Sequence, residues 1–174
     1  MTLMDAESRY GAVSRGVHWI MAILLLAMLG SEVWFEALED TLSEASLMAW
    51  HQSIGLTLLG LVVFRGFWRW LNRSRLAPPV RWASVAKWGH IALYALMILM
   101  PLSGLAAALG EGDTVTFFGW TVFAHGPEVE WLESSGEDVH EVLANVLWLM
   151  IGVHVAAALA HQYLLDDRIM KRMA

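Results

Sequence analysis

"HEVLANVLWLMIGVHVAAALAH", residues 140 to 161, is the stretch on which the fold turns. A bilayer-spanning helix needs about 20 predominantly apolar residues, and this run supplies them. It also carries three imidazoles, His140, His154 and His161. Polar rings inside hydrocarbon are costly and persist where they pair or serve a function. His140 and His154 are fourteen residues apart. At 3.6 residues per turn that spacing returns to within about 40° of one face, about 21 Å further along the axis. His161 falls on the same stripe again, toward the far end of the helix.

Working outward, the chain has 174 residues, 57% of them hydrophobic, with a mean hydropathy of +0.52, ten Trp and no Cys. Long apolar stretches cover residues 16–29, 47–71, 85–109 and 139–165. With its flanks counted, each reaches the length of a spanning helix, the one regular structure that satisfies its own backbone in lipid without closing a barrel. The first stretch has the charge pattern of a secretory leader, but it holds His18 and Trp19 and is read as a span. The absence of cysteine excludes disulfides and thiolate metal sites. The predicted fold is an all-α integral membrane protein. It forms a single domain over residues 1–174, a bundle of four transmembrane helices at about 12–37, 46–71, 83–109 and 137–166. Pro78 and Pro79 mark a connector, because proline cannot sit inside a helix without breaking it. The outer loop over residues 110–138 has room for a short hairpin or surface helix, expected around Pro127 to Glu133. No phosphate-cradling motif is present, since "GLVVFRG" and "GEGD" are too sparse.

All eleven basic residues are Arg9, Arg15, Arg65, Arg69, Arg73, Arg75, Arg81, Lys87, Arg168, Lys171 and Arg172. They fall in the two tails and around the second connection, while the stretches 31–46 and 110–138 have none. By the positive-inside rule, both termini and the middle loop are cytoplasmic. The basic strip is therefore an orientation signal rather than a nucleic-acid site. Trp19, Trp68, Trp70, Trp82 and Trp88 flank the inner surface, and Trp34, Trp50, Trp120 and Trp131 the outer one, as interfacial aromatics do.

This orientation assigns a depth to every histidine. His51 lies early in the second helix, level with His140 near the outer surface. His18 lies about 24 Å from the outer end of the first helix and His154 about 27 Å from that of the fourth. Two pairs result, His18 with His154 and His51 with His140. Imidazoles facing each other across a bundle suit a six-coordinate haem iron. Gly55, Gly60, Gly104, Gly152 and the run Ala156, Ala157, Ala158 would let a macrocycle approach the backbone. A single membrane histidine often just bonds a neighbouring helix, but four matched in depth point to two b-type haems. His90 has no partner outside the inner pair and is either structural or close to a quinone. His125 belongs to a polar loop. The ten Met read as packing.

With these residues placed, the chain resembles the bacterial cytochrome b561 family of small four-helix di-haem membrane cytochromes. The resemblance runs through "RYGAVSRGVHW", "WHQSIGLTLLGLVVFRGFWR", "GHIALYALMILMPLSGL" and "HEVLANVLWLMIGVHVAAALAHQY". It is strongest toward the branch that includes the superoxide oxidase. That resemblance implies a bacterial inner membrane location, two haems b with His18, His51, His140 and His154 as axial ligands, and ubiquinone as bound substrate. It also implies that His161 lies near the inner haem and the quinone, where a ring titrating near neutral pH can donate a hydrogen bond and a proton. Arg15, one turn before His18, is the candidate partner of an inner haem propionate.

Two electron donors compete at the outer surface. Resemblance implies superoxide. However, the outer loops hold Glu32, Glu36, Glu39, Asp40, Glu44, Glu111, Asp113, Glu128, Glu130, Glu133, Glu137 and Asp138 and no Lys or Arg. Such a field repels an anion and favours a basic periplasmic redox protein, such as a cationic c-type cytochrome. A non-redox membrane protein using histidine for packing or metal transport is the third class, and unbroken spans without midplane carboxylates argue against it. The cysteine-free chain makes the orientation easy to check. A Glu128→Cys variant should react with a membrane-impermeant maleimide in intact cells, whereas Arg75→Cys should react only after lysis. The reverse pattern would invert the topology.

Overall fold

A computed structural model of the chain describes residues 2–6, 9–38, 44–73, 82–165 and 169–173. The side chains of 31–38, 44, 45 and 169 lie outside that description. So do the connector around Pro78 and Pro79, Arg75, Arg81 and Arg168, and several acids and Trp34 of the first outer loop. Four long helices dominate: α1 (Ala12–Leu38), α2 (Glu44–Leu71), α3 (Ala83–Gly110) and α4 (Glu130–Tyr163). Each is long and apolar enough to cross a membrane. A two-stranded hairpin, β1 (Val115–Phe117) with β2 (Trp120–Phe123), precedes α4, and a short 3-10 helix (Ile169–Arg172) follows it.

The fourth helix departs most from the expected bounds, starting at Glu130 rather than near residue 137. Glu130 and Glu133 occupy its first turn, where carboxylates interact favourably with the positive end of the helix dipole. The backbone N–H of Val129 also donates to the Gly110 carbonyl at 2.7 Å, tying the start of α4 to the end of α3. Of the short hairpin or surface helix expected around Pro127 to Glu133, the hairpin lies earlier in the loop, and the residues from Glu130 are helical as the start of α4 itself. The hairpin turn places Phe118 at φ 48° and Gly119 at φ 87°, the two positive values that a tight hairpin turn requires. The hairpin is pinned to the outer end of α2. Thr116 N–H donates to Gln52 Oε1 (3.1 Å), Phe118 N–H donates to Ser53 Oγ (2.9 Å), and Val115 is buried.

Packing within the bundle is uneven. Met21, Leu58 and Val62 form a small core with partly buried residues of α1, α2 and α3, to which α4 contributes nothing. Instead α4 packs closely along α3, with no comparable packing on α1 or α2. Small residues allow that close approach, as at many membrane helix interfaces. A Cβ at Gly136 would strike the backbone of Ala107, and one at Gly110 would strike the backbone of Glu133. Large apolar side chains such as Ile23, Leu26, Phe67, Leu149 and Val153 stay exposed, as expected where lipid is the solvent.

The two terminal segments meet at the end of the bundle opposite the hairpin. Tyr10 N–H donates to the Arg172 carbonyl (3.1 Å), and Trp19 Nε1–H donates to the Met173 carbonyl (3.1 Å). Asp5, 5% exposed, accepts from Gly11 N–H (2.8 Å) and Ser14 Oγ–H (2.7 Å), which ties the N-terminal segment onto the first turn of α1. The α3–α4 seam yields a stability prediction. Gly136→Ala should cost about 1–3 kcal/mol through overpacking, lowering the thermal unfolding midpoint in detergent. Gly16→Ala, at an exposed position of α1 with nothing within 4 Å of the added carbon, should not lower it.

Candidate functional site

The structure brings the four depth-matched histidines together as two cross-helix pairs. His18 of α1 and His154 of α4 have ring centres 6.4 Å apart with planes crossed at 83°. His51 of α2 and His140 of α4 are 6.0 Å apart at 62°. His51 and His140 lie toward the hairpin end of the bundle, His18 and His154 toward the end where the termini meet. A metal–imidazole bond is about 2 Å, and each ring centre lies about 1 Å beyond its nitrogen, so two rings on either side of one metal stand about 6 Å apart. Both pairs match that spacing. Because α4 stands off from α1 and α2, these imidazoles reach across from either side of the interval. The residues therefore fit a b-type haem at each level. Nothing lies within 4 Å of a Cβ built at Gly55, one turn from His51, nor at Gly60 or Gly152.

Gly104 has a different part from the one expected of it. A Cβ there would stand 2.7 Å from His140 Cε1 and 2.9 Å from Nδ1, so the missing side chain seats the imidazole rather than a macrocycle. The Nδ1 of His140 lies 2.9 Å from the Met100 carbonyl and 3.2 Å from Ser103 Oγ. A carbonyl can only accept, so Nδ1 carries the proton and Nε2 keeps the lone pair a metal needs. Neither the Met100 carbonyl nor Ser103 could be found by counting histidines, because a backbone acceptor has no sequence signature.

His90 of α3 joins the inner pair, its ring centre 5.5 Å from that of His154. Its Nδ1 donates to the Ala86 carbonyl at 2.6 Å, one turn back on the same helix. Among the described residues, no three His, Asp or Glu side chains converge as an ion site. His161 is half-buried in the last turn of α4, two turns beyond His154. Beside it, the buried Oε1 of Gln162 has no hydrogen-bond partner. Arg15 is half-buried on α1, and His125 is exposed in the outer loop. Sequence reasoning counted Arg65 only as an orientation charge. It lies inside α2, where its Nη1 donates to the Ser14 carbonyl (3.0 Å), and a cation within an apolar run was the signal that could have marked it.

At the outer end the acids crowd together. Asp113, a little burial, then Glu133, Glu137 and Glu128 hold the Glu111 carboxyl above the usual carboxylate range. A strongly acidic cluster is thus present at the hairpin end among the described residues.

Comparison with known proteins supplies a family match. A model of the prokaryotic cytochrome b561 family matches residues 9–174. The chain is 27% identical to cytochrome b561 homolog 2 of Escherichia coli K12, over 99% of this chain and 95% of that protein. It is 26% identical to the probable superoxide oxidase CybB of Yersinia pestis, over 96% of each. It is 28% identical to cytochrome b562 of Cereibacter sphaeroides, over 98% of each. The seat of His140 is directly testable. Gly104→Val should displace that ring and lower the b-type haem content measured as the pyridine haemochrome without abolishing it, while Ser103→Ala should retain full content.

Proposed function

Because this chain belongs to the prokaryotic cytochrome b561 family of haem-binding membrane electron carriers, we propose that it holds two haems b and passes electrons across the bilayer to ubiquinone. In this reading His18 and His154 ligate the inner iron and His51 and His140 the outer one. The observation that carries it is the pair of cross-helix imidazole separations, 6.4 and 6.0 Å, at opposite ends of one bundle. The protein lies in the bacterial inner membrane with both termini cytoplasmic, as the distribution of basic residues supports.

Bound haem supplies one-electron redox chemistry at each level. The chain's residues do the rest. The imidazoles fix the two levels, and Met100 and Gly104 orient the outer one through His140. At the inner end His161 hydrogen-bonds a quinone carbonyl and delivers a proton, as an imidazole N–H can. The unsatisfied amide oxygen of Gln162 is an acceptor for a quinol hydroxyl. The activity supported first is superoxide:ubiquinone oxidoreduction. Two superoxide anions each give one electron and leave as dioxygen, and the quinone takes two electrons and two protons to become quinol. Likeness to a probable superoxide oxidase supports this choice.

A second reading has its own observation. The crowded carboxylates around Glu111 make the outer face a better match for a basic redox protein, such as a c-type cytochrome, than for an anion. Stopped-flow mixing separates the two donors. Superoxide as donor predicts fast haem reduction that is insensitive to salt. A cationic cytochrome as donor predicts coupling that weakens as salt rises. It also weakens as pH falls, because Glu111 takes up its proton at a higher pH than an ordinary carboxylate. In either case His161→Ala should keep both haems and impair quinone turnover, and unaffected turnover would remove His161 from the site. Likewise His51→Ala should empty the outer site alone, and loss of both haems would contradict the pairing.

A further inference from the structure

Arg65 is a cation within the membrane-spanning part of α2, level with the inner imidazoles. It stands as many residues from the end of α2 at Leu71 as His18 stands from the start of α1 at Ala12, about 9 Å of helix in each case. Its charge lies within Coulombic reach of His18, His154 and His90. A guanidinium offers five N–H donors. Among the described residues, the hydrogen bond Arg65 makes is the one from Nη1 to the Ser14 carbonyl, a neutral acceptor. The cleft it lines also contains Asp5, Tyr10, Trp68 and Arg69, so two guanidiniums face one carboxylate. That carboxylate is directed elsewhere, since Asp5 Oδ1 accepts from Gly11 and Ser14 on the first turn of α1. Arg69, one turn nearer the surface, reaches the Tyr10 hydroxyl at 3.5 Å.

A half-buried guanidinium with no anion bonded to it is expensive at this depth, and such a residue marks a partner still to be supplied. A planar fork of N–H donors matches a carboxylate in two parallel hydrogen bonds. Resting on the di-haem reading above, we propose that Arg65 binds a propionate carboxylate of the inner haem and poises that haem at a higher potential than the outer one. The physical basis is Coulombic. A positive charge near an iron favours its reduced state, and the effect is strong where the dielectric is low. The outer haem lies toward a face that carries carboxylates and no fixed positive charge. Electrons entering outside therefore run downhill toward the quinone side.

Potentiometric titration of the purified two-haem protein, followed by haem absorbance, tests the proposal. Arg65→Gln should lower the higher of the two midpoints by about 59 mV or more, tenfold in its one-electron equilibrium, and leave the lower one in place. Arg65→Lys, which keeps the charge but loses the fork, should fall between the two. Should the Gln variant carry a single haem, that haem should have the lower midpoint. Should it carry none, the Lys variant decides. Unchanged midpoints in these variants, or equal shifts of both haems, would overturn the proposal. The oxyanion bound by Arg65 could instead be a phospholipid phosphate, so the titrations are run in phospholipid-free detergent and in phosphatidylglycerol vesicles. A propionate partner gives the same shift in both, and a shift confined to vesicles would refute it. A wild-type chain with fewer than two haems would defeat the di-haem reading itself, independently of Arg65.

Discussion

The structure depends on one constraint, that an imidazole in hydrocarbon must be partnered across the bundle at a fixed reach. The rest of the architecture accommodates it. Residues of α1, α2 and α3 share the small core, while α4 rests on α3 through glycines and stands away from the other two helices. The imidazoles cross that interval at a separation that suits two axial bonds to one metal. A bundle packed uniformly on side chains would be more compact and would not leave this spacing. The apolar exteriors cost little where lipid replaces water, so the fold tolerates a sparse core.

Much of this was legible in the sequence, for physical reasons. Four apolar runs of bilayer length allow few folds, and the confinement of Lys and Arg to alternate connections orders their ends. Once depth is assigned, helical rise alone pairs His18 with His154 and His51 with His140, and the ring contacts follow those pairs. Features that depend on tertiary contact were not legible. The hairpin turn uses Phe118 with positive φ, where Asn or Asp would have announced it. The acidic stretch from Glu130 read at most as a short hairpin or surface helix apart from the span, because its continuity with α4 comes from the dipole at its start and the seam with α3. Gly104 looked like space for a large ligand but is filled by the ring of His140. Arg65 disappeared into a rule that counts charges without asking their depth.

The two ends of the molecule differ in charge as well as in composition. Guanidiniums outnumber carboxylates in the cleft beside the inner imidazoles, and carboxylates crowd the outer loop until they raise the proton affinity of Glu111. If each end holds a haem as proposed, like sites in opposite fields form a directional conduit without any moving part. The same asymmetry is what sets the two proposed outer donors apart, since a carboxylate-rich face favours a basic protein over an anion.

The central claim is that each iron is held by two histidines from different helices, and low-temperature EPR of the oxidised protein tests it most directly. Two histidines on each iron, at two distinct levels of the bundle, predict two low-spin ferric signals. A dominant high-spin signal, or a single low-spin species accounting for all the iron, would contradict the account.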